Sequence, residues 1–320
     1  MRKRLSQINE NNFDEIALEV FKFQSGHNPV YARFLSLSGI DISKISSLNE
    51  IPFLPIRFFK SFEVKSGEWQ SEKVFRSSGT TATGYSVHHI RNLNFYLGHS
   101  ANCYENIFGP LSQTHFFAVL PSYTERNDAS LAAMAAYFIE RTQSALSGFY
   151  LGDGDRLRQA LDSALDSGRP VALLGVTFAL LDLVESGFDF SGVRLIETGG
   201  MKGRRKEIIR DELHQILQKS SPLEIVSEYG MTELLSQAYA RSGSTFQCSK
   251  WMKIIVREVN DHRSVSSVGN TGVINVIDLA NIDTCSFIET QDLGRLNKQG
   301  FEVLGRIDNS DLRGCSLMTA

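Results

Sequence analysis

From His115 to Gly230 the sequence alternates short apolar runs with stretches of helical length, and this alternation limits the chain to very few architectures. HFFAVL, GFYLG, VALLG, VRLIE and LEIV read as strands. DASLAAMAAYFIERTQ, RLRQALDSALDSG, TFALLDLVESG and RKEIIRDELHQILQKS read as the helices between them, with Asp128 expected to cap the first and Gly168 to close the second. Strands that are apolar along their whole length must be covered on both faces, and connections of this length carry the chain back to start a parallel neighbour. The expected fold class is therefore α/β, a mainly parallel sheet flanked by helices. In such sheets ligands bind in the crevice beyond the carboxyl ends of the strands. Three turns fall at those ends: LPSYTERND, ETGGMKGR and SEYGMTE.

The flanks read differently. FDEIALEVFKF places Phe13, Ile16, Ala17, Val20 and Phe21 on one helical face, with Asn11 or Asn12 available as a cap. In IPFLPIRFFK, Pro52 and Pro55 break regular structure and predict an extended segment against a core, with Phe58, Phe59 and Phe62 packed there. Beyond Arg241, KIIVREV, GVINVIDLA, SFIETQDLG and FEVLGRID predict an antiparallel β subdomain. The expected organisation is one large domain over 1–314, divided into a helical region (1–73), an α/β core (74–240) and a β subdomain (241–304). A hinge-like tail over 305–320 follows.

Composition narrows the partners. At 42% apolar and 22% charged, with a net charge of −3, the chain has no electrostatic footprint for nucleic acid. No run of eighteen apolar residues predicts a membrane span, and no apolar segment follows the basic start, so a cytoplasmic protein is expected. The four cysteines lack ligand spacing, which predicts neither zinc nor disulfides; Cys103, Cys248 and Cys285 read as small buried hydrophobes.

The chemistry concentrates in two stretches. SSGTTATG gathers Ser77, Ser78, Gly79, Thr80 and Thr81 where no core can form; its N–H groups and hydroxyls can ring an anion such as a triphosphate. No lysine follows Gly84, which excludes the GxxxxGK[ST] loop. About 150 residues on, YGMTE follows a strand and is expected to turn into a helix. Tyr229 offers a face for a base, Gly230 room for the turn, Thr232 a phosphate contact and Glu233 a hard oxygen ligand for Mg²⁺.

In that order and spacing, the two stretches resemble motifs of the adenylate-forming superfamily, the fold of acyl-CoA synthetases and firefly luciferase, whose members make an acyl-AMP from a carboxylate and ATP. SSGTTATG resembles the phosphate-gripping loop. ETGG, with Gly199 and Gly200, stands in the place of the glycine turn beside the adenine, and EYGMTE resembles the aromatic, Thr and Glu motif. Asp292 in TQDLG matches the ribose-binding Asp, and GRIDNSDLRG resembles the hinge, with Arg306 in a ribose-contacting place and Asp308 at the hinge itself. The resemblance implies ATP and Mg²⁺ as cofactors and a carboxylic acid as substrate.

Two departures accompany these matches. The loop reads GTTATG without the usual following lysine, and six residues follow Gly314, so the small C-terminal lysine domain is expected to be absent. Lys202, just past ETGG, is then the cation nominated for the developing charge, although a basic run with Arg204 and Arg205 is ordinarily a solvated face. IPFLPIRFFK, LPSYTERNDASL, ETGGMKGRRKEIIRDEL, SEYGMTELLSQAY and LRGCSL together resemble the LuxE-like acyl-protein synthetases. In that branch an activated fatty acyl group passes to a cysteine near the C-terminus and then to a partner reductase. Cys315 stands where that cysteine would be. The alternatives are a ligase resembling phenylacetate-CoA ligase and a catalytically weakened acyl-binding subunit. Tyr123 and Arg126 are candidates to border the acyl pocket, and His88 or His89 to line the site; a satisfied histidine is the ordinary role for either.

Overall fold

The computed structural model describes residues 2–5, 7–77, 84–121, 125–199, 209–241 and 243–307. The chain divides into two compact units: 1–58, 64–67 and 250–320 form one, and 59–63 with 68–249 the other.

The first unit opens with helices α1 (Arg2–Leu5), α2 (Phe13–His27) and α3 (Pro29–Leu37), then the short strand β1 (Leu54–Pro55). The apolar stripe of α2 behaves as its period predicts: Phe13, Ile16, Ala17, Val20 and Phe21 are all buried. Asn12 is the residue before α2, but its Oδ1 accepts the Asn9 N–H at 2.8 Å instead of capping the helix. Asn28 does cap α3, accepting from the Tyr31 N–H at 3.0 Å, and Pro29 opens that helix where a missing N–H costs nothing.

Helix α4 (Phe58–Ser61) follows, and there the expected aromatic packing holds only in part. Phe59 is buried, whereas Phe62, one residue past this single turn, is 52% exposed.

The second unit then carries the alternation. Its elements are β2 (Lys73–Arg76), β3 (Val87–Ile90), α5 (Leu93–Phe108), β4 (His115–Val119), α6 (Ser130–Thr142), β5 (Gly148–Phe149), α7 (Gly154–Asp166), β6 (Val171–Gly175), α8 (Thr177–Glu185), β7 (Val193–Glu197), α9 (Arg210–Gln218), β8 (Glu224–Tyr229), β9 (Ala238–Arg241) and β10 (Thr245–Cys248). Strands β5, β4, β6, β7 and β8 lie parallel in that spatial order, followed by antiparallel β9 and β10. Every residue of β4 and β6 is buried, the signature of a sheet covered on both faces. Gly168 follows the end of α7 with φ of 72°, a left-handed stop that other residues adopt only with strain.

Two local expectations are corrected. Helix α6 has Ala129, not Asp128, at its N-cap, because the Asp128 carboxylate turns to Arg126 at 3.2 Å. After β8 no helix forms; the chain makes a turn and returns as β9, pairing Tyr229 with Ala238. Leu234, Leu235, Ser236 and Gln237 are all buried, so the segment has no solvent face of the kind an amphipathic helix presents.

The first unit resumes with β11 (Met252–Glu258), β12 (Asp261–Val265), β13 (Gly272–Asp278), β14 (Phe287–Asn297) and β15 (Gly300–Arg306). They form an antiparallel sheet in the order β12, β11, β13, β14, β15, with β1 added parallel to β14. Pro55 is tolerated in β1 because, among the described residues, that strand pairs only with β14, and the next residue, Ile56, supplies an N–H to Glu289 O at 2.9 Å. Phe287 gathers the core of this unit, with Phe21 at 5.9 Å and Phe53 at 6.2 Å between ring centroids.

Candidate active site

Beyond the carboxyl ends of the parallel strands the second unit holds a cavity of about 200 Å³. Leu120 and Pro121 reach it from the end of β4, Val176 from β6, and Thr198 and Gly199 from β7. Thr232 comes from the turn after β8, and Ser130 to Ala132 from the first turn of α6. Each of the three turns singled out in the sequence thus contributes to one concavity. This is where the strand-end rule places ligands.

The polar lining suits an anion. Arg76 and Arg126 bring guanidinium groups, Ser130, Thr198 and Thr232 bring hydroxyls, and the first turn of α6 adds backbone N–H groups that the helix itself does not pair. Arg76 was not nominated from the sequence. It is the last residue of β2, one position before SSGTTATG, and a cation next to a stretch expected to ring an anion is the signal that could have found it. Ser77 closes that base: its N–H donates to Ser86 O at 3.1 Å and its Oγ accepts from the Ser86 N–H at 3.0 Å. Ser78, Gly79, Thr80, Thr81, Tyr123, Gly200, Lys202, Arg204, Arg205, Asp308 and Cys315 lie outside the described residues.

Around Thr232 the backbone is held from behind. His88 is fully buried, and its Nδ1 donates to Thr232 O at 2.7 Å. Burial lowers its pKa to about 4, against the opposing pull of that hydrogen bond, so the ring is neutral near pH 7 and acts as a strut. Phe59 packs edge-on against it at 5.6 Å. This is the satisfied histidine that is the ordinary role for such a residue. His89 instead pairs with Ser71 at 2.9 Å.

Tyr229 is 7% exposed, its ring edge-packed on Phe246 at 5.8 Å. Glu233 is buried at 5% exposure. Among the described residues no group of three or more His, Cys, Asp or Glu could hold a metal ion.

Behind Gly199, Glu197 anchors the β7 turn. Its Oε2 accepts the Gly199 N–H at 2.8 Å, while Arg210 and His214 stand 3.6 and 3.8 Å from Oε1. Burial raises the Glu197 carboxyl, but hydrogen bonds from His214 and Ser227, the Arg210 charge and the Gly199 N–H outweigh it and hold the pKa below the usual carboxylate value. Gly199 takes φ of 69°, which lets the chain turn at the cavity wall.

Asp292 and Arg306 belong to the first unit. They face one another across β14 and β15, with Arg306 Nε 3.6 Å from Asp292 Oδ1. Asp292 therefore lies within β14. Its N–H donates to Thr290 Oγ1 at 3.1 Å.

No protein-family model matches the sequence, and no curated protein matches it either. Solved structures do. 2-Hydroxyisobutyryl-CoA ligase, crystallised in the postadenylation state with 2-HIB-AMP, superposes with a TM-score of 0.68 at 15% identity, over 94% of this chain and 69% of the ligase. O-succinylbenzoate coenzyme A synthetase (MenE) from Bacillus subtilis, in complex with AMP, gives 0.53 at 18% identity, over 74% of this chain and 49% of the synthetase. ATP-bound MatB from Rhodopseudomonas palustris gives 0.55 at 15%, over 73% and 47%. The chain has the α/β fold of the adenylate-forming enzymes. No helix among the described residues is long and apolar enough to cross a membrane.

Proposed function

We propose that the chain activates a carboxylic acid with ATP, forming an acyl-AMP and pyrophosphate, and that a fatty acyl group then passes to the Cys315 thiol and on to an acyl-accepting protein such as a reductase. One observation carries the adenylating half. The cavity joins guanidinium, hydroxyl and helix N-terminal donors to apolar walls at the strand ends, in a fold shared with structures that hold ATP, AMP and an acyl-AMP.

ATP and Mg²⁺ supply the leaving group and its charge neutralisation; the residues named here bind and orient. Arg76, Arg126 and Thr232 are assigned to phosphate and carboxylate oxygens, Glu233 to Mg²⁺, and Ser77 to Thr81 to the phosphates. Gly199, Gly200, Tyr229 and Gly230 are assigned to the nucleotide's base side, and Lys202 to the developing charge. The resemblance of LRGCSL to the LuxE-like branch supports the transfer to Cys315.

The test is exchange of labelled pyrophosphate into ATP across a panel of carboxylic acids. Acid-dependent exchange with at least one of them is expected. No exchange with any acid, beside measurable acyl binding, would favour the binding-subunit alternative.

Asp292 and Arg306 are assigned to the ribose hydroxyls. Because Arg306 is mostly exposed, their ion pair contributes about 0–1 kcal/mol to stability. Asp292→Ala is therefore expected to lower ATP affinity at least tenfold with little change in melting temperature, since a carboxylate built for hydroxyl donors discriminates strongly. Calorimetric titration with ATP checks this; equal affinity removes the assignment.

A further inference from the structure

Glu228 stands one residue before the end of β8, and the assignments above leave it without a role. It is buried, and it pairs across the strands with Tyr239, so both side chains occupy one face of the sheet. A Cβ built on Gly230 would fall 2.3 Å from Glu228 Oε1 and 3.5 Å from Gln237 Cγ. The carboxyl group therefore fills the space over the Gly230 Cα, beside Gln237.

The described groups around it supply no cation to hold an anion. From α5 comes Tyr96, whose hydroxyl proton is already given to Ser130 O at 3.1 Å. From β9 comes Tyr239, backed by Tyr104 and Cys103, and from β7 the second carboxylate, Glu197. Among the described residues no lysine, arginine or histidine pairs with Glu228. Among the described residues Gln237 Oε1 and the Tyr239 hydroxyl have no hydrogen-bond partner. An amide oxygen in that condition accepts a proton donor, and a carboxyl group provides one only when protonated. Burial, and then the Glu197 charge, push the Glu228 pKa up to about 8.

The carboxyl also sits behind two walls of the cavity. The turn it presses on, from Gly230 onward, carries Thr232 into the lining; Tyr96, on its own face, ties down Ser130 at the start of α6, which lines the cavity too. We propose that Glu228 works as a neutral carboxylic acid, donating to Gln237, which holds the Gly230-to-Thr232 turn in place, so that acid activation in the cavity declines as Glu228 gives up its proton. Glu228 is a positioning residue here, and the inference rests on the adenylating reading of the cavity.

Two measurements test it. Acid-dependent pyrophosphate exchange by the wild type should fall above about pH 8, approaching tenfold per pH unit. Glu228→Gln keeps a neutral group of the same shape; it should retain neutral-pH exchange within about threefold and lose that alkaline decline. An identical decline in both proteins overturns the proposal.

The second readout needs no activity. A carboxyl whose folded pKa lies above its unfolded value stabilises the protein fully below the unfolded pKa and loses that contribution as pH rises to the folded one. The melting temperature of the wild type should therefore fall relative to Glu228→Gln between about pH 5 and pH 8 and then run parallel. Parallel curves throughout overturn the neutral state itself. Divergent curves in a protein that shows no exchange with any acid would instead overturn the adenylating reading and, with it, the link to activity.

Discussion

In Glu233→Gln and in Thr81→Ala, acid-dependent exchange of pyrophosphate into ATP is expected to fall about a hundredfold or more, with each protein still folded. On the proposed reading both groups act on charge that moves. As the carboxylate attacks the α-phosphate, negative charge builds on the departing pyrophosphate. Groups aimed at that charge before the reaction lower its barrier by about 2.7 to 4 kcal/mol each. Glu233 serves through the Mg²⁺ assigned to it; a glutamine there keeps the shape but removes the charge that binds a hard cation. Raised Mg²⁺ should partly restore the Glu233→Gln rate and leave Thr81→Ala unchanged, because only the first has lost a metal contact. Full exchange in both variants would remove this assignment of the cavity.

The second unit was legible in the sequence because its signals are local. A strand buried on both faces must be apolar throughout, so β4 and β6 could be read from five residues each. The turns at the strand ends then located the cavity without any knowledge of side-chain positions. What escaped depended on side-chain partners and burial that only the fold shows. LLSQAYA has helical composition, yet its burial on every side commits it to a turn and a strand. Asp128 is a good cap by type, but Arg126 two residues away takes its carboxylate.

In the first unit, Gln24 donates to the carbonyls of Asn281, Ile282 and Thr284 at 3.0 to 3.2 Å and accepts from the Ser286 N–H at 2.9 Å. A glutamine on the buried face of α2 is a defect by periodicity alone; partners more than 250 residues away make it a tie between helix and strands. Glu228 is the corresponding case near the cavity. EYGMTE could be recognised as a motif, while the pKa of its first residue is raised by burial and then by the Glu197 charge, which only folding brings about.

Replacement of Cys315 by serine is expected to abolish a hydroxylamine-labile acyl label that the wild type acquires from ATP, Mg²⁺ and a labelled acid. The chemistry favours a thiol: its sulfur attacks the acyl-AMP carbonyl carbon, the C–S bond forms as the bond to AMP breaks, and the thiol proton passes to solvent. Thiolate supply decides which cysteine can do this. Cys103 and Cys285 are buried at 2% and 0% exposure, out of reach of a substrate, and burial pushes the Cys285 thiol up to about 12, so that thiol supplies no thiolate near neutral pH. Cys248 is partly exposed and is the competitor among the described residues. Arg313 stands two residues before Cys315 in the sequence, and a neighbouring guanidinium lowers a thiol pKa. Intact-protein mass spectrometry should therefore show one acyl group on the wild type and on Cys248→Ser, and none on Cys315→Ser. Acid-dependent pyrophosphate exchange should persist in all three, because the thiol acts after the adenylate has formed. A label that survives in Cys315→Ser but disappears in Cys248→Ser would move the carrier role to Cys248. Exchange without any label, whichever acid is supplied, would leave an adenylating enzyme whose acyl group goes directly to another acceptor, as the ligase alternative requires.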